Sequence, residues 1–183
     1  GTDLGVLYET LAHEGYPGHL YFFNYVKQQG WHPINFFVSN IGFEEGWAEY
    51  AARLSLDSWG LDPDMMEVIF LDQEFSYLLM GLSDIGINYG GWTVDDVYDL
   101  WETYFYLDSA EDVRDVYDAC MAEPGTILSY SIGYYQICDL EEEVKEMLGE
   151  SFDHNEFVTE LLSVGGASFD ITRSYIMEWV NEK

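Results

Sequence analysis

Apolar residues recur at helical intervals along almost the whole chain, and alternating runs of strand type are nearly absent. Val6, Leu7, Leu11, Leu20, Phe23 and Val26 give residues 5–28 a helical pattern that the run GYPG interrupts. WHPINFFVSN reads as a loop or short extended piece, because Pro33 disfavours helical angles at His32. Helix is expected again from Phe43 to Trp59, with Gly60 just past its end. Asp62 and Pro63 form a cap and first-turn pair for a long helix to about Ile87. After a break at 88–91, Thr93 with Asp95 and Asp96 starts a helix to about Tyr106, and Ser109 caps another to about Met121. Pro124 opens the next, which ends at Gly149, and SVGGAS divides a last pair at about 153–163 and 168–181. Connections this short predict an all-α array over residues 1–183, with no Gly/Ser/Pro-rich linker to mark a second domain. The opening GTDLGVLYETLAHEG has the character of a protein interior, so a fragment of a longer chain is expected.

Charge narrows the partners. Six Lys plus Arg stand against 35 Asp plus Glu, a formal net charge of -29, which repels phosphate backbones and anionic lipid. Nucleic acid and direct membrane insertion are therefore not expected, and no apolar run is long enough to span a bilayer. The acidic coat serves solubility, in an extracellular or salty setting, as readily as it attracts metal ions and basic peptides. Cys120 and Cys138 lie on different expected helices, where a single disulfide and two buried thiols are both compatible with the pattern.

The chemistry concentrates near the start. Two of the four histidines occur in one run, HEGYPGH, and His followed by Glu opens the zinc-binding helix motif H-E-x-x-H. In that motif two imidazoles one turn apart hold zinc while the glutamate activates water. Here His19 follows His13 by six residues. On an unbroken helix the two would point about 120° apart and lie about 9 Å apart along the axis. Pro17 cannot donate to the His13 carbonyl and crowds it, so the helix must kink or restart, and Gly15 and Gly18 let the backbone fold closely. His13 and Glu14 then end one stretch and His19 starts the next. A metal site and a merely kinked core helix both satisfy this pattern. A catalytic zinc needs a third protein ligand, and GFEEGWAEYAARL offers Glu45 and Glu49 on one helix face. Spacing leaves those two tied, and a solvated acidic face is the plainer account of the segment.

HEGYPGHLY, EGWAEYA, DIGINYGGWT and PGTILSYSIGYYQI, followed by LGESFDHNEFVTELLSVGGASFDI, occur in this order along the chain. In these motifs the chain resembles the bacterial family called domain of unknown function 885, over essentially its whole length. Members are longer, so the resemblance implies a C-terminal catalytic part of a zincin-like metallopeptidase with a helical array and a kinked metal-binding helix. Carried over, it implies zinc as cofactor with His13, His19 and Glu45 as ligands, and Glu14 as general base. Leu20 stands where many members have a further histidine, as in a subset of the family. Asn88 replaces a histidine usual within DIGIN, and Gly90 replaces a larger residue. These departures bear on activity more than on metal binding.

The function expected is hydrolysis of a peptide substrate, with zinc polarising the carbonyl and Glu14 taking the proton of the attacking water. Tyr130 or Asn88 is expected to hold the oxyanion, with Tyr134 a further donor and each tyrosine equally readable as core. Asp84 is either an outer partner of a ligand or a surface residue near a helix end. His32 and His154 carry no expected role. Two other classes remain open: a catalytically impaired metal-binding or structural remnant, and an acidic helical module for cationic peptides. The family and the acidic coat suggest an extracellular or cell-envelope location, with the remaining N-terminal part of the same protein as a partner.

Overall fold

The computed structural model describes residues 4–30, 34, 37–38, 40–58, 60 and 62–183. The loop expected around His32, and the side chain of Asp57, lie outside the described residues. The chain is all-α, and no strand occurs among the described residues. Its helices are α1 (Leu4–Glu14), α2 (His19–Gln28), α3 (Ile41–Ser55), α4 (Pro63–Asn88) and α5 (Val94–Trp101), then α6 (Arg114–Ala122), α7 (Leu128–Leu148), α8 (His154–Val164) and α9 (Phe169–Asn181). No described helix is long and apolar enough to cross a membrane.

Local chemistry accounts for most of the boundaries. Asp62 accepts a hydrogen bond from the Met65 amide with Pro63 in the first turn, as the sequence requires. Thr93 and Asp96 form a reciprocal capping box at the start of α5. Ser109 and Asp112 form another, but it opens a 3-10 turn, Ala110–Val113, ahead of α6. Two expectations need correction. The helix beginning at Thr93 stops at Trp101, because Thr103 and Tyr104 donate to Leu100 and Trp101 in tightened turns. Pro124 does not open α7. Gly125 follows it at φ +81°, a left-handed conformation no helix can contain, and α7 begins at Leu128.

The most extensive helix contact is α3 against α7. It depends on two glycines. A Cβ at Gly46 would lie 2.3 Å from the Gly133 carbonyl carbon, and one at Gly133 would lie 2.0 Å from the Gly42 carbonyl oxygen. Backbone meets backbone here, so nothing flexible can yield. Around this crossing the main core assembles from Phe22, Phe43, Trp47, Ile137, Phe157 and Ile176, contributed by α2, α3, α7, α8 and α9. A smaller core, with Ile87, Val97, Val113 and Cys120, joins the end of α4 to α5 and α6. Cys120 and Cys138 are free thiols, the first buried and the second partly so.

Replacing Gly133 by Ala must push α3 and α7 apart or distort them. The expected cost is about 3 kcal/mol or more, the upper range for overpacking a core. Urea unfolding of Gly133→Ala beside the parent chain measures it, and a loss below 1 kcal/mol, of the order of an ordinary surface change, would contradict the close crossing.

Candidate metal centre

The bend between α1 and α2 is built from backbone. Gly15 N donates to the Leu11 carbonyl and Gly18 N to the Ala12 carbonyl, so the chain turns back on the end of α1. A Cβ on Gly18 would fall 1.8 Å from the His13 carbonyl oxygen, which makes glycine obligatory there. The indole of Trp47, itself buried, donates to the Gly18 carbonyl at 3.4 Å and ties the bend to α3. This tie determines what faces what. His13 ends α1, His19 begins α2, and Glu45 projects from α3 one residue before the glycine crossing.

The three side chains converge. Glu45 Oε2 lies 3.3 Å from His13 Nε2 and 3.3 Å from His19 Nε2, and the two imidazole rings stand edge-on with centroids 4.8 Å apart. The separations exceed the roughly 2.7–2.9 Å of a charge-assisted hydrogen bond. They match the distance of about 3.3 Å between two ligands on a tetrahedral ion with bonds of about 2.0–2.1 Å. Glu45 Oε2 is buried and has no hydrogen-bond partner among the described residues despite this proximity. Two imidazoles and a carboxylate aimed at one point form a donor set that suits a divalent cation of zinc type, with a position left over.

Electrostatics favour positive charge at the same point. Burial pushes the Glu45 carboxyl up, but the close approach and charge of the His13 and His19 imidazoles outweigh it and hold the pKa at about 2. Burial likewise opposes a proton on His13, yet Glu45 and Glu49 prevail and raise it to about 10. A cation coordinated at Nε2 would be stabilised by the same carboxylates that favour that proton.

Glu49 takes a different place from Glu45. Its Oε1 lies 3.1 Å from His13 Nδ1, the ring nitrogen turned away from Glu45. A carboxylate on the far nitrogen fixes the tautomer and plane of a ligating imidazole. Behind it stands Glu9, buried, which accepts from Gln73 Nε2 at 2.9 Å, and Gln73 in turn donates to Tyr77 Oη at 3.1 Å. The sequence reading overlooked Glu9, although it sits one turn before His13 on α1, as Glu45 sits one turn before Glu49 on α3. Burial and then the Glu49 charge raise Glu9 to about pKa 7.

The other expected residues divide. Tyr130 reaches the centre: its ring stacks on His13 at 5.8 Å and 12°, and its hydroxyl interacts with Glu45. Burial, followed by the Glu45 charge, raises its pKa to about 12, so it remains a donor at neutral pH. Glu14 ends α1 beside His13, exposed to solvent. Asn88 does not join the cluster. Its amide nitrogen donates to Asp84 Oδ1 at 2.8 Å and to the Cys120 carbonyl at 3.0 Å, which uses both of its hydrogens to join α4 to α6. Asp84 is buried rather than on the surface, and its Oδ2 accepts from Gly125 N at 2.7 Å, holding the turn before α7 instead of a ligand. Tyr134 packs on Phe70 and touches both the main core and a small one of Leu56, Met66 and Phe70. His154 starts α8 and pairs with Glu141 at 2.8 Å.

The family model described as bacterial protein of unknown function, DUF885, matches residues 6–176. The chain belongs to the DUF885 family. No curated protein matches this DUF885 chain. Two crystal structures share its fold. The "putative lipoprotein from Colwellia psychrerythraea" aligns over 96% of this chain with a TM-score of 0.81 and 24% identity. A "putative lipoprotein of unknown function from Shewanella oneidensis" aligns over 94%, with a TM-score of 0.78 and 23% identity. The DUF885 chain spans only 30% and 31% of those two proteins.

Glu9 supplies a stability test. Its folded pKa lies above the ordinary 4.5, so its contribution is complete below pH 4.5 and is lost as pH rises through about 7. Glu9→Gln keeps the Gln73 contact and has no proton to lose. In urea unfolding with chelator present, the variant is expected to match the parent at pH 5 and exceed it at pH 8. A constant difference at both pH values would remove Glu9 as the titrating group.

Proposed function

We propose that this chain is the catalytic part of a zinc-dependent peptidase-like hydrolase of zincin type, with His13, His19 and Glu45 as metal ligands. The observation that carries the proposal is the approach of both Nε2 atoms to within 3.3 Å of Glu45 Oε2, an oxygen with no hydrogen bond among the described residues. When bound, zinc would supply Lewis acidity toward a peptide carbonyl and acidify water. The residues of the chain do the rest. Glu14, next to His13 and open to solvent, takes the proton from the attacking water and passes it to the leaving amine. Tyr130, protonated and directed at the same centre, donates to the oxyanion. Glu49 holds the His13 ring with its free nitrogen toward the cluster. Asn88, with both amide hydrogens engaged, is left out of this scheme.

A metal site without hydrolytic activity is the second reading, and the exposed, unconstrained setting of Glu14 favours it. For location we propose the cell envelope, supported by the lipoprotein descriptions of the two structural neighbours. Leu4, Leu7, Leu11, Leu20 and Phe23 expose apolar surface on α1 and α2. This face, with the greater length of the neighbours, supports the N-terminal remainder of the same protein as partner.

Zinc content by elemental analysis and hydrolysis of a mixed peptide library, for the parent chain and Glu14→Gln, test the scheme. One zinc per chain in both, with hydrolysis at least about a hundredfold slower in the variant, is expected for loss of a general base. Zinc with no hydrolysis in either selects the second reading. For Glu49→Gln, zinc affinity measured by competition with a chromophoric chelator is expected to fall by about tenfold or more. Unchanged affinity would deny Glu49 its role in orienting His13.

A further inference from the structure

A cavity of about 250 Å³ is lined in part by Tyr130. Tyr77, Met80 and Asp84 line it from one face of α4, since they are spaced by three and four residues. Ala119 and Glu123 face it from α6 and just beyond, and Ile127 and Tyr130 from the entry into α7. Tyr130 thus belongs to two compartments. Its ring stacks on His13 and lies 5.0 Å from the ring of Tyr77, so the cavity wall includes a ring in contact with the metal-ligand cluster. A group seated in the cavity is one residue's reach from a carbonyl placed at the cluster.

The lining has two characters. Tyr77, Met80, Ile127 and Tyr130 form aromatic and aliphatic walls suited to a flexible hydrocarbon stem. Asp84 and Glu123 add carboxylates. Asp84 is 2% exposed, and it accepts hydrogen bonds from two neutral donors, the Asn88 amide and Gly125 N. A carboxylate has about four acceptor sites, so capacity for a further donor remains. The chain's own cations are committed elsewhere. Arg53, Arg114, Lys145, Arg173 and Lys183, five of its six basic residues, sit in ion pairs with glutamates outside the cavity. Apolar walls leading to uncompensated carboxylates match a long side chain with a cationic tip, and they reject an acidic one.

We propose that this cavity is a specificity pocket for a lysine or arginine side chain of the substrate adjacent to the scissile bond, an assignment that rests on the peptidase reading above. The walls bind the methylene stem, and Asp84 and Glu123 bind the ammonium or guanidinium. Tyr130 sets how far the pocket lies from the reacting carbonyl.

The test uses the zinc-supplemented chain with two peptides that differ only in lysine or norleucine beside the cleaved bond. Two variants accompany it: Glu123→Lys at an exposed position, and Ala119→Phe, which fills the cavity. Binding of N-acetyl-lysine methylamide and its norleucine counterpart is followed by NMR in parallel. The lysine peptide is expected to be cleaved with a kcat/KM at least about tenfold above norleucine, the scale of a charged hydrogen bond. Glu123→Lys should abolish the preference for lysine over norleucine, and Ala119→Phe should weaken lysine cleavage. Equal cleavage of both peptides overturns the pocket and leaves the peptidase intact. No hydrolysis of any peptide, with lysine-selective binding lost in Ala119→Phe, defeats the peptidase reading and upholds the pocket. Neither hydrolysis nor selective binding overturns both.

Discussion

Gly46 and Gly133 let α3 and α7 touch backbone to backbone, and the candidate centre inherits its precision from that contact. Glu45 precedes Gly46 and Tyr130 precedes Gly133 by less than one helical turn, so each is carried by a stretch of helix that cannot shift independently. Glu49, one turn along α3, is held by the same crossing. The bend at Gly15–Gly18 then needs a single further tie, the Trp47 indole, to present His13 and His19 to a carboxylate already in place. Rigid elements crossing closely hold a group of ligands better than loops do.

The electrostatics of this arrangement run against the character of the chain. A protein with 35 acidic residues gathers three of them, Glu9, Glu45 and Glu49, around one histidine. Such crowding of like charge beneath the surface is costly unless something positive or neutral intervenes. Two different solutions appear. Glu9 keeps its proton to about pH 7, while Glu45 is held ionised, with a pKa of about 2, by the imidazoles. One cluster therefore contains a neutral carboxyl that supports the framework and a charged one that faces the ligands. Their separation is produced by surroundings rather than by residue type: burial and the Glu49 charge raise Glu9, while the imidazoles lower Glu45.

The helical class, the interruption at GYPG and the caps at Asp62, Thr93 and Ser109 were legible in the residues, because each follows from local chemistry. The break at 88–91 and the division at 165–168 were legible for the same reason. What was not legible depended on contacts between distant parts of the chain. Gly46 and Gly133 look like ordinary glycines until their helices are brought together. Asp84 resembles a helix-end surface residue until Gly125 and Asn88 close over it. The start of α7 was misread because Pro124 is a good first-turn residue, and the left-handed Gly125 that follows overrides it. His13 and His19 stood out by spacing, whereas the choice between Glu45 and Glu49 required knowing which nitrogen of His13 each would meet.

Tyr130 is shared between two compartments, and sharing has a thermodynamic form. Any occupant that tilts this ring from one side alters the free energy of occupancy on the other by an equal amount. A single side chain in contact with both the cluster and the cavity would thereby link what happens in one to what happens in the other.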